Sequence, residues 1–471
     1  MTILFTVYYG AVINPESLTT FKALPRCLFL VNGDGYIDWI VDDVESSDLQ
    51  NVLASKGLID IDVYVLKNGE FVMPGFVDTH THAPQVPNIG SGQQYELLDW
   101  LENVTFPMES KFSDAEFARK TYPSVVQRFI NAGTTTCCYY ATIHLEATKI
   151  LADVVKHQGQ RAFVGKCNMN RNSPDNYRES SEEESIAATK ELIAYIQSID
   201  SDLVHPILTP RFAISCTSPL LSSLGDMLKS DPNLAIQTHI SENQNEVKLT
   251  LELFSESTTY AGVYDDHGLL TERMILAHAV HLGESELQLI AVRKAGISHC
   301  PTSNFNLRSG MAKVGEMLDR GIKVGLGTDV SGGYSPSILT AVQHTSICSK
   351  MVANHSMHQS SSSNGTFANK QLPMTTLLYL ATMGGAEVCN LSHKIGNLQP
   401  GKSFDALIVS VRHDAGNPAV WGFEDDFEHV PTKEELEGFL ERFLFCGDDR
   451  NISKVFVQGR LVGGKSFVKG A

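Results

Sequence analysis

Residues 71–82 read Phe71-Val72-Met73-Pro74-Gly75-Phe76-Val77-Asp78-Thr79-His80-Thr81-His82. The apolar run 71–77 predicts a buried strand, and two histidines two positions apart follow at its C-terminal end. Side chains alternate across an extended chain, so both imidazoles can aim into one site. The same pattern, a short β-rich run closed by polar residues and then a helical stretch, recurs along the chain. The further runs are 134–140, 161–167, 205–212, 234–239, 274–278, 296–299 and 322–327, with helices expected over 185–199, 218–229 and 284–294. Eight strand–helix units predict an α/β fold, a TIM-type (β/α)8 barrel, rather than an open sheet.

Outside this region the pattern changes. Asn32-Gly33-Asp34-Gly35 lies between Cys27-Leu28-Phe29-Leu30-Val31 and Tyr36-Ile37-Asp38-Trp39-Ile40 and reads as a hairpin. Near the other end, 405–409 and 455–462 are strand-like, the latter broken by Gly459. We therefore expect three segments: 1–70 and 404–471 as two parts of a small β-sandwich, and 71–403 as the barrel. The serine-rich stretch 354–371 has no apolar periodicity and reads as a flexible insertion between two helices.

Bulk properties exclude several classes. The 471 residues are 42% hydrophobic and 19% charged, ordinary for a globular enzyme. A net charge of -17 repels a phosphate backbone, so no nucleic-acid partner is expected. No apolar run approaches the ~20 residues of a membrane span, and the first residues do not read as a signal peptide. Nine scattered cysteines without a C-x-x-C pair read as reduced thiols. These features together predict a cytoplasmic protein with no membrane partner.

Chemistry is concentrated at the strand ends. His80 and His82 end the first run, His239 the fifth and His278 the sixth, while Asp329 follows the eighth. In a barrel these ends share one face. Three histidines and a carboxylate there suit zinc, with a position left for water. A single histidine among 16 would carry little weight, and His144, His157, His205, His355 and His358 are given no metal role. Glu242, three residues past His239, is placed as a proton shuttle, and it also fits the first turn of a helix.

The stretch 74–82 resembles the metal-binding opening of the amidohydrolase superfamily. His239-Ile240-Ser241-Glu242, Leu276-Ala277-His278 and Gly327-Thr328-Asp329 resemble its later signatures. Within the superfamily, several motifs resemble the guanine deaminase branch. They are His82-Ala83-Pro84-Gln85, 97–101, Phe106-Pro107, Thr209-Pro210-Arg211-Phe212, 299–304 and Gly447-Asp448-Asp449-Arg450-Asn451. The resemblance implies one zinc per subunit on His80, His82, His239 and Asp329, and a homodimer. The fourth run, 206–212, offers no lysine to bridge a second metal.

It implies hydrolytic removal of the amine at guanine C2, giving xanthine and ammonia. Zinc would lower the pKa of water from near 16 to about 7. Asp329 would take the water's proton, His278 would orient the attacking oxygen, and Glu242 would protonate the neighbouring ring nitrogen. His82, Ala83, Pro84, Gln85, Arg211, Phe212, Trp100, His239, Ile240, Ser241, Glu242 and Asp329 would surround the base. Arg211 would offer its planar fork to O6 and N7, with Gln85 beside it. Trp100 fits an apolar wall and core packing equally well. Alternatives are another heterocycle (cytosine, an adenosine derivative or a triazine) or a binding homologue without catalysis. The H-x-E and P-C-x-x-C signature of nucleic-acid deaminases is absent.

Overall fold

Eight parallel strands close into a barrel in the computed structural model, which describes residues 5–357, 365–420 and 429–467. In chain order they are Phe76–His82, Thr134–Tyr140, Arg161–Gly165, Val204–Pro210, Ala235–Ile240, Met274–His278, Gly296–His299 and Lys323–Leu326. Leu326 pairs with Asp78 and closes the ring. These strands are covered on both faces, and all seven residues of Thr134–Tyr140 are buried. Double burial is why they read as continuous apolar or β-branched runs and not as alternation. The expected helices occur as Glu182–Ser198, Ser218–Ser230 and Glu284–Arg293. The first is fixed by the Ser181 hydroxyl, which accepts the Glu184 N–H, and by three glutamates in its opening turn.

The run 71–77 is not one strand. Glu70–Pro74 pairs antiparallel with Ala406–Ser410, and a separate strand, Phe76–His82, enters the barrel. Gly75 is the joint. A Cβ there would lie 2.2 Å from the Thr135 side chain, so only glycine lets the two layers approach. The apolar run continues through the joint because both pieces are buried.

Strands from both ends of the chain form the second layer. Their order is Arg460–Gly463, Ile452–Val457, Ala406–Ser410, Glu70–Pro74, Thr6–Pro15, Phe21–Val31 and Ile37–Val41, with Val63–Val65 also beside Thr6–Pro15. The expected sandwich is thus one continuous sheet that curls over a shared apolar face. Tyr8 stacks on Phe29 at 5.1 Å and meets Phe404 at 5.2 Å and Phe456 at 6.2 Å. The opposite face, with Ala11, Ile13, Phe71, Met73 and Leu407, joins the barrel's own core. Arg161, at the start of the third barrel strand, reaches Asp405 through Nε at 2.9 Å and Nη2 at 3.1 Å. The hairpin at residues 32–35 forms as expected, its Asn32 side chain accepting the Asp34 and Tyr36 N–H groups.

Much of the stretch 354–371 belongs to ordered structure. Residues up to 357 complete the helix Ile338–Met357. From residue 365 on, the Asp319 carboxylate accepts the backbone N–H groups of Thr366, Phe367 and Ala368. His358 and the serine run lie outside the described residues. Among the described residues no helix is long and apolar enough to cross a membrane. All nine cysteines are free thiols.

Candidate active site

Parallel strands bring their C-terminal ends to one mouth, and the polar residues singled out from the sequence meet there. His80, His82, His239 and Asp329 place one donor atom each within 4.8 Å of one another. Asp329 Oδ1 is 3.1 Å from His80 Nε2 and 3.3 Å from His82 Nε2. The Nε2 atoms of His82 and His239 are 3.2 Å apart. His239 Nδ1 lies 2.5 Å from the Arg211 carbonyl, so it carries the proton and Nε2 keeps a lone pair. Burial pushes all three histidines below their usual pKa, His82 to about 4, and holds them neutral. Burial alone would raise Asp329, but the close His80 and His82 imidazoles, with His278 beyond them, outweigh it and keep the carboxylate ionised. Three neutral imidazoles and an anion facing a common point are a donor set for a divalent cation.

Local backbone supports this convergence. His278 and Asp329 have φ of 77° and 43°, and Ser241 has φ of 48°. Left-handed conformations in non-glycine residues are costly and gather at functional sites. Asp78 accepts from the Thr328 hydroxyl at 2.5 Å and from the His80 N–H at 3.2 Å, tying the first strand to the turn that carries Asp329. Burial raises the Asp78 carboxyl to about 7. The Tyr140 ring packs 4.8, 4.6 and 5.1 Å from the rings of His80, His82 and His239.

Glu242 and His278 stand beside the donor group. His278 Nε2 is 3.4 Å from Glu242 Oε2 and 3.7 Å from Asp329 Oδ2. His278 Nδ1 donates to Asn304 Oδ1 at 2.9 Å, which leaves the Nε2 lone pair facing both carboxyls. Glu242 is not in the first turn of a helix. That helix is Gln244–Leu253, capped by Asn243, and Glu246 reaches back to accept the Glu242 and Asn243 N–H groups. Burial, with the charges of Asp329 and Glu246 behind it, raises the Glu242 carboxyl well above the usual range. A carboxyl so placed can hold and deliver a proton near neutral pH.

These groups open onto a cavity lined by His82, Gln85, Trp100, Arg211, Phe212, His239, Glu242, Asp329, Leu97, Leu101 and Leu307. Trp100 and Phe212 pack in one apolar cluster, so Trp100 serves as both wall and core. Ala83 and Pro84 are buried in the turn that carries Gln85, behind the wall. Ile240 packs into the barrel core, and the Ser241 carbonyl accepts the Val280 and His281 N–H groups.

The Arg211 fork, expected to face a ligand, is already engaged. Nη1 and Nη2 donate to Glu109 at 2.7 and 3.2 Å. Glu109 went unnoticed in the sequence, as did Tyr177, Glu246 and Asp78 in their supporting roles. For the first three, nothing in the local pattern marks a glutamate or tyrosine as buried.

A model of the amidohydrolase family matches residues 71–462, and the chain belongs to that family. It is 44% identical over 460 residues to a probable guanine deaminase of Schizosaccharomyces pombe, covering 97% of this chain and 83% of that one. Identity to the guanine deaminase of Dictyostelium discoideum is 41% over 461 residues, covering 97% and 98%. The crystal structure of guanine deaminase from C. acetobutylicum, with guanine bound in its active site, superposes with a TM-score of 0.84 at 32% identity. That match covers 97% of this chain and 100% of the other.

Proposed function

We propose that this chain hydrolyses guanine to xanthine and ammonia. One observation carries the reading: three members of a four-donor metal group (His82, His239, Asp329) and the Glu242 carboxyl share a wall of a cavity whose other walls are flat and apolar (Trp100, Phe212) or donor-rich (Arg211, Gln85). The relatives named for guanine deamination support the same substrate. We infer zinc as the metal, because imidazole nitrogen with one carboxylate suits it, and His80, His82, His239 and Asp329 would hold it. When bound it supplies a nucleophile at neutral pH by lowering the pKa of water to about 7.

The chain's own residues then supply binding and proton transfer. Trp100 and Phe212 clasp an aromatic ring, and the donor-rich wall orients its acceptor edge. Glu242 gives its proton to the ring nitrogen beside C2, making that carbon electrophilic as water oxygen attacks it. Asp329 takes the proton that water sheds, and His278 Nε2, between the two carboxyls, holds the oxygen's approach. The C2–N bond breaks as the amine takes the proton held by Asp329 and leaves as ammonia, while the new C2–OH gives its proton to Glu242, restoring the acid, and becomes the carbonyl of xanthine. We also infer a cytoplasmic homodimer. Nine free thiols support a reducing compartment, and the exposed Ile347 and Met351 on Ile338–Met357 support a face for a second subunit.

The test is turnover by zinc-replete protein on guanine, adenine and cytosine, following xanthine and ammonia. Conversion of guanine alone is expected. Zinc-loaded protein that turns over none of the three would overturn the substrate, and protein that binds no zinc would overturn the metal.

A further inference from the structure

Glu109 is fully buried at the end of Phe106–Glu109, in a helical segment that crosses the cavity wall. Its carboxylate accepts four hydrogen bonds: from Arg211 Nη1 and Nη2 at 2.7 and 3.2 Å, Gln85 Nε2 at 2.7 Å and Tyr177 OH at 2.6 Å. A carboxylate has about four acceptor positions, so this one is saturated. Burial would raise Glu109, but the Arg211 guanidinium outweighs it and keeps the pair ionised. Arg211 also lies 5.3 Å over the Phe106 ring, which fixes the plane of its fork.

The consequence for the cavity is a matter of donors and acceptors. Arg211 Nη1 and Nη2 each give one N–H to Glu109 and keep another. Gln85 gives one N–H to Glu109 while its Oε1 accepts the Ser331 N–H at 3.0 Å, so the amide cannot flip without breaking both bonds. What the Gln85 amide nitrogen and the Arg211 fork have left to offer is N–H alone. The Arg211 charge is balanced before any ligand arrives, so the wall selects by hydrogen-bond polarity and not by net charge.

We propose that Glu109 is a positioning residue that sets the preference for oxygen over an amine on the purine edge read by Arg211 and Gln85, an inference that rests on the guanine reading above. With the Glu109 carboxylate removed, Gln85 is held in its orientation by the Ser331 N–H alone, a flip that presents its carbonyl to an amine costs one bond instead of two, and Arg211 loses its charged partner. A site whose buried donors are left facing donors discriminates strongly, and relaxing one of them relaxes the discrimination.

The experiment compares guanine with 2,6-diaminopurine, which carries the same C2 amine but an amine in place of O6. In Glu109→Gln the KM for guanine should rise about tenfold or more with kcat within about threefold, and the guanine preference in kcat/KM should shrink about tenfold or more. Metal content and thermal midpoint report whether the variant is folded. Glu109→Asp keeps the charge but is one methylene too short to reach all three partners, and should move both quantities in the same direction. The proposal is overturned if a folded, metal-loaded variant keeps the wild-type preference, if kcat and stability fall while the preference holds, or if neither variant folds. Wild-type protein inactive on guanine would instead overturn the functional reading.

Discussion

Replacing Glu242 by glutamine separates proton delivery from everything else that residue does. The side chain is buried, accepts the Ser309 hydroxyl at 3.1 Å through Oε1, and faces His278 Nε2 at 3.4 Å through Oε2. An amide of the same shape can keep both contacts, accepting from Ser309 and donating to His278, but it has no proton to transfer. A positioned acid contributes about 10²–10⁴ in rate, or about 3–5 kcal/mol of barrier at about 1.4 kcal/mol per tenfold. We therefore expect kcat/KM on guanine to fall by that factor while KM changes less than about threefold and zinc content holds. The stability effect has the opposite sign. Burial, then Asp329 and Glu246, raises this carboxyl in the folded state, so the folded protein holds its proton more tightly than the unfolded chain. Such a group weakens the fold as pH rises through the unfolded carboxyl range toward the folded value. Glutamine removes that burden, so the melting temperature near neutral pH should stay equal or rise. Steady-state xanthine formation and a thermal melt on the same sample check both. A variant within about fivefold of wild type, or one losing activity in step with stability or zinc, would refute the proton-donor assignment.

Two further outcomes follow from other parts of the molecule. Arg161→Met strands the buried Asp405 carboxylate, and the loss should be about 3–5 kcal/mol, read by chemical denaturation, with kcat/KM of the folded fraction unchanged because Arg161 begins its strand at the end away from the mouth. Wild-type stability in that variant would refute the importance of the pair. On acidification, protons compete with the metal for the histidine lone pairs, and burial has lowered those histidines, His82 to about 4. Metal should therefore be retained until the pH approaches about 4, as measured by metal content after gel filtration, and release near the ordinary histidine value of 6.5 would count against it.

How much was legible depended on whether a residue's role is set by its own strand or by distant chain. Thr134–Tyr140, Met274–His278 and Gly296–His299 were readable to the residue, because strands buried on both faces carry continuous runs with sharp ends. The convergence of His80, His82, His239 and Asp329 was readable because each sits near the C-terminal end of such a strand or just past it. Glu109 was not: it meets Gln85 and Arg211 across 24 and 102 residues. A glutamate after Phe106-Pro107-Met108 looks like an ordinary helical surface residue. Arg211 lines the cavity, yet its fork was expected to face a ligand and is engaged by Glu109, since nothing local names its partner. Glu242 was assigned to a helix that begins at Gln244, because the Asn243 cap and the returning Glu246 decide that boundary. The division at Gly75 was hidden inside an unbroken apolar run.

That joint gives the outlying sheet a mechanical role. Glu70–Pro74 is clamped between Ala406–Ser410 and Thr6–Pro15, and five residues beyond Gly75 the same chain presents His80. An extended segment of that length spans roughly 17 Å, and no loop interrupts it. A shift of the sheet would reach His80 and His82, two of the four grouped donor residues. The closing strands of the chain place no side chain at the mouth, yet they brace the segment that aims it. Unzipping Ala406–Ser410 from its neighbour would be felt as a loosened metal grip, so catalytic output doubles as a gauge of how firmly the far layer is seated.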